Sequence, residues 1–266
     1  MGRRMDCGIR GRTALVNGAS AGMGRAAAES LAAEGVDLVL TARGEARLAA
    51  AAEDLRSRYG VKVAIVAADH STPEGREQVL ARCGSPDILV ATCSPPPMTP
   101  DHRAITPERW QTALDTGLMS PMHFIEALLP AMVSKRWGRI VNIATIATKY
   151  PLELRILSGA PRAALINYTV AVSRRVAGDN VTLNTVLPGM FHTAAVEDQF
   201  TATAQRNGTS YDDEVAKFVA AYQIPAGRFG EPRDVGALVT WLCSQYAGYI
   251  TGQSIAVDGG ATRSTF

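Results

Sequence analysis

Seven short apolar segments recur along the chain, and most of them are separated by stretches in which apolar residues have helical spacing. Apolar runs bounded by turn residues are typical of buried strands. We therefore predict strands at residues 13–16, 37–40, 61–67, 87–92, 139–143, 181–186 and 254–257. Because near-continuous apolar strands belong to sheets covered on both faces, this pattern favours a parallel sheet.

The segments between these strands carry helix signals. Helices are predicted over residues 45–59 and 73–82, and in a longer segment that follows Thr106. Gly60 ends the first of them, as glycine often does at a helix C-terminus. Strands that alternate with helices pair in parallel through crossovers. The predicted fold is therefore α/β, with a Rossmann-like doubly wound parallel sheet of seven strands, and we expect residues 1–266 to form a single domain.

The first strand leads into a turn that contains three glycines and then into an alanine-rich helix that ends before Gly35. Glycines at such spacing also occur in ordinary turns. However, the strand before the turn and the helix after it favour a pyrophosphate site, because glycine lets the backbone and the helix N-terminus approach phosphates closely. The predicted residues of this dinucleotide site are Asn17, Gly18, Ser20, Gly22, Met23 and Gly24.

The composition argues against some classes of partner and leaves the predicted fold unchanged. The chain has 27 basic and 25 acidic residues, and its net charge of +2 argues against nucleic acid or an anionic membrane as the main partner. No apolar run reaches transmembrane length, and residues 1–12 lack the apolar core of a signal peptide. We therefore expect a cytoplasmic protein that acts on a small molecule, with Arg3, Arg4 and Arg10 in a solvated arm.

The cysteines predict neither a metal site nor a disulfide. Their sequence positions show no C-x-x-C pairing, so a zinc framework is not expected and a reducing compartment fits. The four are Cys7, Cys83, Cys93 and Cys243.

Two loops follow strand ends, where open α/β sheets bind ligands. Residues 94–100 include four prolines and should be stiff. Residues 190–230 form a long segment that we interpret as a substrate loop or lid. Its second half predicts an amphipathic helix that begins after Ser210, with one apolar face made by Val215, Phe218, Val219 and Tyr222.

Further motifs extend the pattern over nearly the whole chain. They are Asp69 after the third strand, residues 138–143 (Gly-Arg-Ile-Val-Asn-Ile), Pro188-Gly189 followed by Thr193, Gly230-Glu231-Pro232, and residues 250–260. Together with the glycine turn, they make the sequence resemble the short-chain dehydrogenase/reductase family, and within it the beta-ketoacyl reductases. The resemblance implies that Asp69 and His70 hold the adenine edge of a nicotinamide dinucleotide, and that Pro188, Gly189 and Thr193 hold its nicotinamide end. It also implies a homotetramer or homodimer, with the long helices after Thr106 and Ser158 packed between subunits.

The choice of cofactor can be argued from charge at the end of the second strand. A carboxylate there favours NAD, whereas an arginine accommodates the additional phosphate of NADP. Here the acidic position is Ala42 and the next residue is Arg43, while Ser20 offers a hydroxyl donor. The simpler alternative is that Arg43 is a solvated surface residue. We predict NADP rather than NAD, because the acid is missing and arginine binds phosphate through charge-assisted hydrogen bonds.

The catalytic residues depart from the family's pattern of asparagine, serine, tyrosine and lysine. Thr145 occupies the serine position, and thirteen residues later Ser158 stands where the family has tyrosine. Arg162 replaces the lysine, and Gly117 replaces the asparagine. The family's Asn-Asn-Ala-Gly segment also reads differently here, as Ala91-Thr92-Cys93-Ser94.

These replacements affect proton transfer more than cofactor binding. A serine hydroxyl ionises far less readily than a phenol, and loss of a well-placed general acid costs about 10²- to 10⁴-fold in rate. Ser158 could equally be the N-cap of the next helix, with Pro161 in its first turn. Arg162 can still hold the nicotinamide ribose hydroxyls, but an arginine does not relay protons.

Three other side chains are candidates for a compensating role. Tyr150 could donate a proton or form an aromatic wall of the pocket. His192 has a suitable pKa for acid catalysis, although a histidine in a loop is more often solvated or hydrogen-bonded. Cys93 has no neighbouring cation in the sequence that would activate it.

Three functions remain open at this point. The first is an NADP(H)-dependent oxidoreductase that reduces a carbonyl, or a conjugated enone or acyl substrate whose oxygen Thr145, Ser158 and Arg162 would polarise. The second is a catalytically inactive relative that keeps the nucleotide pocket as a sensor or partner subunit. The third is a non-redox lyase resembling the halohydrin dehalogenases, which use an arginine on this fold but lose the glycine turn that this chain retains.

Overall fold

The computed structural model describes residues 6–264, so Arg3 and Arg4 of the expected arm lie outside the described residues. Seven strands form one sheet in which all neighbours pair in parallel, in the order β3-β2-β1-β4-β5-β6-β7. They are β1 Thr13–Asn17, β2 Asp37–Ala42, β3 Val63–Ala67, β4 Ile88–Ala91, β5 Gly138–Ile143, β6 Val181–Pro188 and β7 Ser254–Val257. The strand order reverses between β1 and β4. The predicted doubly wound, Rossmann-like α/β fold is confirmed.

Helices cover both faces of this sheet. They are α1 Gly22–Ala33, α2 Glu45–Tyr59, α3 Pro73–Cys83, α4 Pro107–Leu114, α5 Ser120–Ser134, α6 Ile156–Val176, α7 Ala194–Asn207, α8 Tyr211–Ala221 and α9 Pro232–Cys243. A π-helical turn, Asp115–Met119, joins α4 to α5. The helix predicted over 45–59 is confirmed, with Gly60 in the left-handed region at a φ of 67°.

The two faces of the sheet explain why its strands are apolar throughout. Along β1, Ala14 and Val16 pack into one core cluster while Leu15 packs into the other. Leu31 and Leu48, from α1 and α2, belong to the first cluster. Because side chains alternate between the two covered faces, each position along a central strand must be apolar.

The segment expected to be a long loop contains two helices. The amphipathic helix predicted after Ser210 is present as α8, and Ser210 Oγ accepts a hydrogen bond from the Asp213 N–H at 3.1 Å. Helix α7 was not predicted from the sequence. It begins after its N-cap Thr193 and is ended by Gly208, whose backbone is in the left-handed region. Both helices pack around a small apolar cluster of Phe200, Ile224 and Phe229. This cluster gives residues 190–230 a core of their own.

Neither a membrane span nor a metal cluster is found within residues 6–264. No helix there is long and apolar enough to cross a membrane. No group of three or more His, Cys, Asp or Glu side chains in the same range could hold a metal ion. None of the four cysteines, all of which lie within the described range, forms a disulfide.

Candidate active site

Three of the predicted site residues, Asn17, His70 and Arg162, line one cavity at the carboxyl ends of the central strands, where the strand order reverses. A cavity there is lined by residues from β1, from the segments after β3 and β4, and from α6. Its polar lining includes Asn17, His70, Thr92, Cys93, Thr116, Ser120 and Arg162. Open α/β sheets bind ligands at such switch points, so this cleft is the candidate active site.

The glycine turn has the geometry that a phosphate group needs. Gly18 and Gly22 have φ values of 62° and 56°, in the left-handed region. A Cβ atom at Gly24 would lie 2.5 Å from the carbonyl oxygen of Gly18, so only glycine lets α1 begin this close to the turn. Ala21 is the N-cap of α1 and makes no side-chain hydrogen bond to it. The first N–H groups of α1 therefore have no capping side chain and can bind an anion.

Thr193 lies beside this turn. Its methyl carbon would be 3.7 Å from a Cβ atom placed on Gly22. Thr193 is the N-cap of α7, and the Gly189 N–H, just beyond the end of β6 at Pro188, donates to the Val257 carbonyl at 2.9 Å. The segment after β6 is thus anchored over the same cleft as the glycine turn.

The residues expected at the adenosine end of the cofactor separate into two groups. Arg43 is exposed beyond the end of β2, and Ser20 and Met23 are partly buried near the glycine turn, Met23 against the core. Asp69 Oδ1 accepts hydrogen bonds from Ser71 N and Ser71 Oγ at 3.0 and 2.7 Å. Burial tends to raise the pKa of Asp69, but these hydrogen bonds and the charge of Arg43 outweigh it and lower the pKa.

The side chain of His70 is directed away from the exposed edge. His70 is buried, and its Nδ1 atom lies 2.9 Å from Ser120 Oγ of α5. Burial lowers the pKa of His70, which favours a neutral imidazole. It lines the inner end of the cleft together with Asn17, whose buried Oδ1 atom has no hydrogen-bond partner. His70 therefore forms part of the cleft floor.

Arg162 is a buried cationic side chain that lines the cleft. Its side chain is buried, with 4% of the residue exposed. Nη1 donates to the carbonyl oxygen and to the hydroxyl of Ser158, both at 3.2 Å, and Nη2 lies 2.9 Å from Cys93 Sγ. The expectation that Cys93 has no cationic neighbour is wrong, because the fold brings together residues 69 positions apart. No ion pair among the described residues involves Arg162.

Ser158 is not the N-cap of α6. The helix begins at Ile156 with Arg155 as its N-cap, so Ser158 lies in the first turn and Pro161 lies beyond it, inside the helix. Ser158 is buried and its hydroxyl is hydrogen-bonded to Arg162. The alternative of a helix-capping serine is therefore wrong, and the hydroxyl lies against the Arg162 guanidinium group.

Gly117 makes room for the arginine. It lies in the π-helical turn, and a Cβ atom there would be 3.1 Å from Pro161 Cβ and 3.5 Å from Arg162 Nη1. A side chain at this position would need space that Pro161 and the guanidinium group occupy. The replacements at 117 and 162 are thus spatially coupled.

None of the remaining candidates, Thr145, Tyr150 and His192, is among the residues that line the cavity. Thr145 comes shortly after β5, and its Oγ1 atom accepts a hydrogen bond from the Ala147 N–H at 3.3 Å. Tyr150 is 45% exposed and is not among the side chains that line the cavity. His192 Nδ1 lies 2.8 Å from Tyr211 Oη, and its ring packs 5.3 Å from the ring of Phe229. His192 thus connects the segment after β6 to α8.

Arg155 is the N-cap of α6 and is not among the residues that line the cavity. Its side chain is half-buried, and no hydrogen bond or ion pair of its guanidinium group is found among the described residues. Burial lowers the pKa of Arg155, Tyr222 opposes this effect, and the charge of Arg162 lowers the pKa further.

Comparison with known sequences gives matches over almost the whole chain. A family model described as enoyl-(acyl carrier protein) reductase matches residues 18–262. The chain is 34% identical over 255 residues to 3-oxoacyl-(acyl-carrier-protein) reductase FabG of Escherichia coli, a match that covers 95% of this chain and 98% of that protein. It is 31% identical over 262 residues to the enzyme of the same name from Aquifex aeolicus, with 96% and 99% covered.

Solved structures show the same relationship. L-sorbose reductase from Gluconobacter frateurii, complexed with NADPH and L-sorbose, matches with a TM-score of 0.93 and 30% identity over 98% of this chain and 100% of that one. A 3-oxoacyl (acyl-carrier-protein) reductase from Agrobacterium tumefaciens C58 with NADP bound matches with a TM-score of 0.86 and 31% identity, covering 96% of each chain.

Proposed function

The chain belongs to the short-chain dehydrogenase/reductase family, and from this premise we propose that it is an NADP(H)-dependent oxidoreductase acting on a small carbonyl, enone or acyl substrate. The observation that carries the proposal is the glycine turn beside the uncapped N-terminus of α1. Both relatives of solved structure described above were crystallised with NADPH or NADP. Arg43, at the end of β2, is the residue that would bind the additional phosphate.

We assign the remaining cofactor contacts to the glycine turn, to the residue pair after β3 and to the segment at the end of β6. The N–H groups of the turn from Asn17 to Gly24 would bind the pyrophosphate, and Asp69 would bind the adenine edge. Pro188, Gly189 and Thr193 would hold the nicotinamide end. We propose that residues 190–230 close over the substrate, since they carry their own apolar cluster and meet the glycine turn through Thr193.

Proton delivery must differ from the tyrosine-dependent scheme implied by the family resemblance. When bound, the reduced nicotinamide supplies a hydride. Arg162 presents N–H donors at the cleft floor, beside the Ser158 hydroxyl, and such donors stabilise negative charge that develops on a substrate oxygen. Because arginine side chains do not relay protons, we propose that the proton comes from water.

The test is consumption of NADPH with a panel of ketones, enones and acyl thioesters, after a thermal-shift measurement with NADPH and with NADH. The proposal predicts a larger shift with NADPH and turnover of at least one compound class. Turnover without a preference for NADPH would contradict the cofactor assignment.

NADPH binding without any turnover would instead support an inactive sensor or partner subunit, which the buried Ser158–Arg162 pair favours as the second candidate. The lyase alternative is weaker, because the glycine turn is intact.

We also propose a homotetramer or homodimer. The outer surfaces of the long helical segments carry exposed apolar side chains, including Met119 at 45% and Val170 at 38% exposure. Burial of such surface between subunits is favourable. Analytical ultracentrifugation should show a dimer or tetramer, and a monomer at micromolar concentration would contradict this proposal.

A further inference from the structure

The turn after β3 forms one edge of the cleft. His70 lines the cavity, and Asp69, directly before it, is the proposed adenine-binding residue. The Ala68 N–H donates to the Ala42 carbonyl at 3.1 Å, which places this turn beside Arg43, the proposed phosphate-binding residue. The additional phosphate of NADP and the adenine base are attached to the same ribose. A nucleotide whose phosphate binds Arg43 would therefore carry its base close to Asp69.

Only one oxygen of the Asp69 carboxylate is occupied within the protein. Oδ1 accepts hydrogen bonds from the N–H and the hydroxyl of Ser71, at 3.0 and 2.7 Å. The Asp69 carbonyl accepts from the N–H and the hydroxyl of Thr72, at 3.1 and 3.0 Å. Oδ2 makes no hydrogen bond to any residue that the structure describes. This oxygen can therefore accept one from the amino group of adenine.

A buried arginine of α3 holds the backbone of this turn. Arg76 is 9% exposed, and its Nη1 atom donates to the Ser71 carbonyl at 2.9 Å and to the His70 carbonyl at 3.5 Å. Within residues 6–264 it forms no ion pair, and its buried Nε atom has no hydrogen-bond partner. A guanidinium group buried without a carboxylate is a cost to stability, which indicates a role other than packing.

The start of α3 is in tight contact with the same turn. Thr72 is the N-cap of α3, and its hydroxyl accepts a hydrogen bond from the Gly75 N–H at 3.1 Å. A Cβ atom at Gly75 would lie 1.9 Å from the Asp69 carbonyl oxygen, so only glycine lets the helix begin this close to the turn. Because helix and turn share these contacts, a change at Arg76 is transmitted to the backbone that carries Asp69.

We propose that Arg76 is a positioning residue for the cofactor, and that it holds residues 69–72 in the arrangement in which Asp69 recognises adenine. This assignment deepens the proposed function and rests on it. The guanidinium group is planar and carries several N–H donors, so it can hold two neighbouring carbonyl groups in a fixed relation. A turn that is fixed before the nucleotide arrives need not be ordered during binding, which increases affinity.

The expected effect of Arg76 is specific for the base. Asp69 Oδ2 can accept a hydrogen bond from the 6-amino group of adenine, whereas hypoxanthine has a carbonyl oxygen at that position and offers no donor. Discrimination between the two bases therefore depends on where the turn holds Asp69. Arg43 acts on the phosphate and does not affect this choice.

The test is calorimetric titration of the full chain with NADPH, NADH and nicotinamide hypoxanthine dinucleotide phosphate in its reduced form. We expect NADPH to bind about 10-fold more tightly than the hypoxanthine analogue. Arg76→Met should weaken NADPH and NADH by the same factor, about 3- to 10-fold, and bring the NADPH-to-analogue ratio close to one. With a substrate that is turned over, KM for NADPH should rise while kcat stays unchanged.

Three further variants separate positioning from general destabilisation. Arg76→Lys should restore part of the base discrimination, because an ammonium group can still donate to the turn carbonyls. Arg82→Met, at an exposed arginine in the last turn of α3, is the matched control and should change no affinity. In Asp69→Asn the discrimination should already be lost, and adding Arg76→Lys should lower it no further. If Arg76→Met does not fold, the ratio in Arg76→Lys decides, and a ratio equal to that of the unmodified protein contradicts the proposal.

The outcomes distinguish this inference from the function on which it rests. Weaker binding of all three nucleotides by one common factor in Arg76→Met, with base discrimination intact, would overturn the positioning role. Equal affinity of the unmodified protein for NADPH and the hypoxanthine analogue would also overturn it, while leaving NADP(H) dependence in place. If none of the three nucleotides binds, the proposed function itself fails and this inference fails with it.

Discussion

Arg162 and Gly117 share one volume at the floor of the cleft. Arginine is larger than the lysine of the family pattern. Its guanidinium group reaches into the volume that a side chain at residue 117 would otherwise occupy. Cys93 approaches the guanidinium group from the end of β4. The replacement of several family residues therefore forms one packed arrangement and not a set of independent losses.

Gly117→Asn should destabilise the protein by about 1–3 kcal/mol, because overpacking displaces neighbouring side chains. The new Cβ atom would be 3.1 Å from Pro161 Cβ, and the amide would compete with Arg162 for space. The measurement is urea denaturation. Gly178→Asn is the control, because a Cβ atom there has no neighbour within 4 Å. Adding Arg162→Lys should recover part of the lost stability, and strictly additive effects would contradict the coupling.

His70 should make stability depend on pH. Burial lowers the pKa of His70 from its ordinary value of 6.5, so the unfolded chain binds a proton at a pH where the folded chain does not. The free energy of unfolding therefore falls as pH decreases below about 6.5, by at most about 1.4 kcal/mol per pH unit for this one group. Denaturation at pH 7.5 and 5.5 measures this slope. His70→Asn should flatten it, and His102→Asn, at an exposed site, should not.

For these residues, the sequence predicted positions along the chain but did not predict contacts between distant segments. The positions of Ser158 and Arg162 followed from the spacing of the family pattern, and the structure joins the two residues by a hydrogen bond, with Arg162 in the lining of the cleft. Contacts between distant segments did not follow: Cys93 meets Arg162 and His70 meets Ser120 only because β3, β4, α5 and α6 converge. Such contacts depend on tertiary packing, which local patterns do not encode.

At the scale of helices and strands, the segments with a clear local sequence pattern were predicted correctly. All seven strands and α8 were predicted, since apolar runs and a serine N-cap mark them. The start of α6 was misplaced because Ser158 is a good capping residue by itself, whereas packing extends the helix back to Ile156. Helix α7 was missed because its buried surface is mainly Phe200 and Ala204, too small for a clear amphipathic pattern.

The start of α8 should respond to acid. Glu214 Oε1 accepts hydrogen bonds from Lys217 Nζ at 2.7 Å and Thr209 Oγ1 at 2.6 Å, and these contacts lower the pKa of Glu214 to about 2. A carboxylate with a lowered pKa stabilises the fold above its ordinary pKa of 4.5, and this contribution is lost as pH falls toward 2.

Hydrogen exchange of residues 209–221 tests this prediction. In Glu214→Gln these amides should exchange faster at neutral pH, because the neutral amide makes weaker hydrogen bonds than the carboxylate. Glu77→Gln, at an exposed site on α3, should leave them unchanged. Unaltered protection in Glu214→Gln would show that the Lys217 and Thr209 contacts do not hold α8.

At the scale of the whole molecule, the sheet positions two distinct charged regions. The glycine turn, Arg43 and Asp69 lie at the ends of β1, β2 and β3, while Arg155 and Arg162 lie beyond β5, at the start of α6. The parallel arrangement brings all of these strand ends to one edge. One cofactor can therefore extend along that edge from a phosphate-binding end to a reacting end.

This arrangement predicts that cofactor binding stabilises the whole chain and that Arg43 sets its selectivity. NADPH at 100 times its dissociation constant should add about 2.7 kcal/mol to the free energy of unfolding, or about 5–10 °C in Tm for a chain of this size. NADH at the same concentration should give a smaller shift, because it has no phosphate for the guanidinium group to bind. Arg43→Ala should reduce the NADPH shift to that of NADH and leave the NADH shift unchanged, whereas Arg174→Ala should alter neither. Equal shifts with both nucleotides in the unmodified protein would mean that Arg43 is only a solvated surface residue.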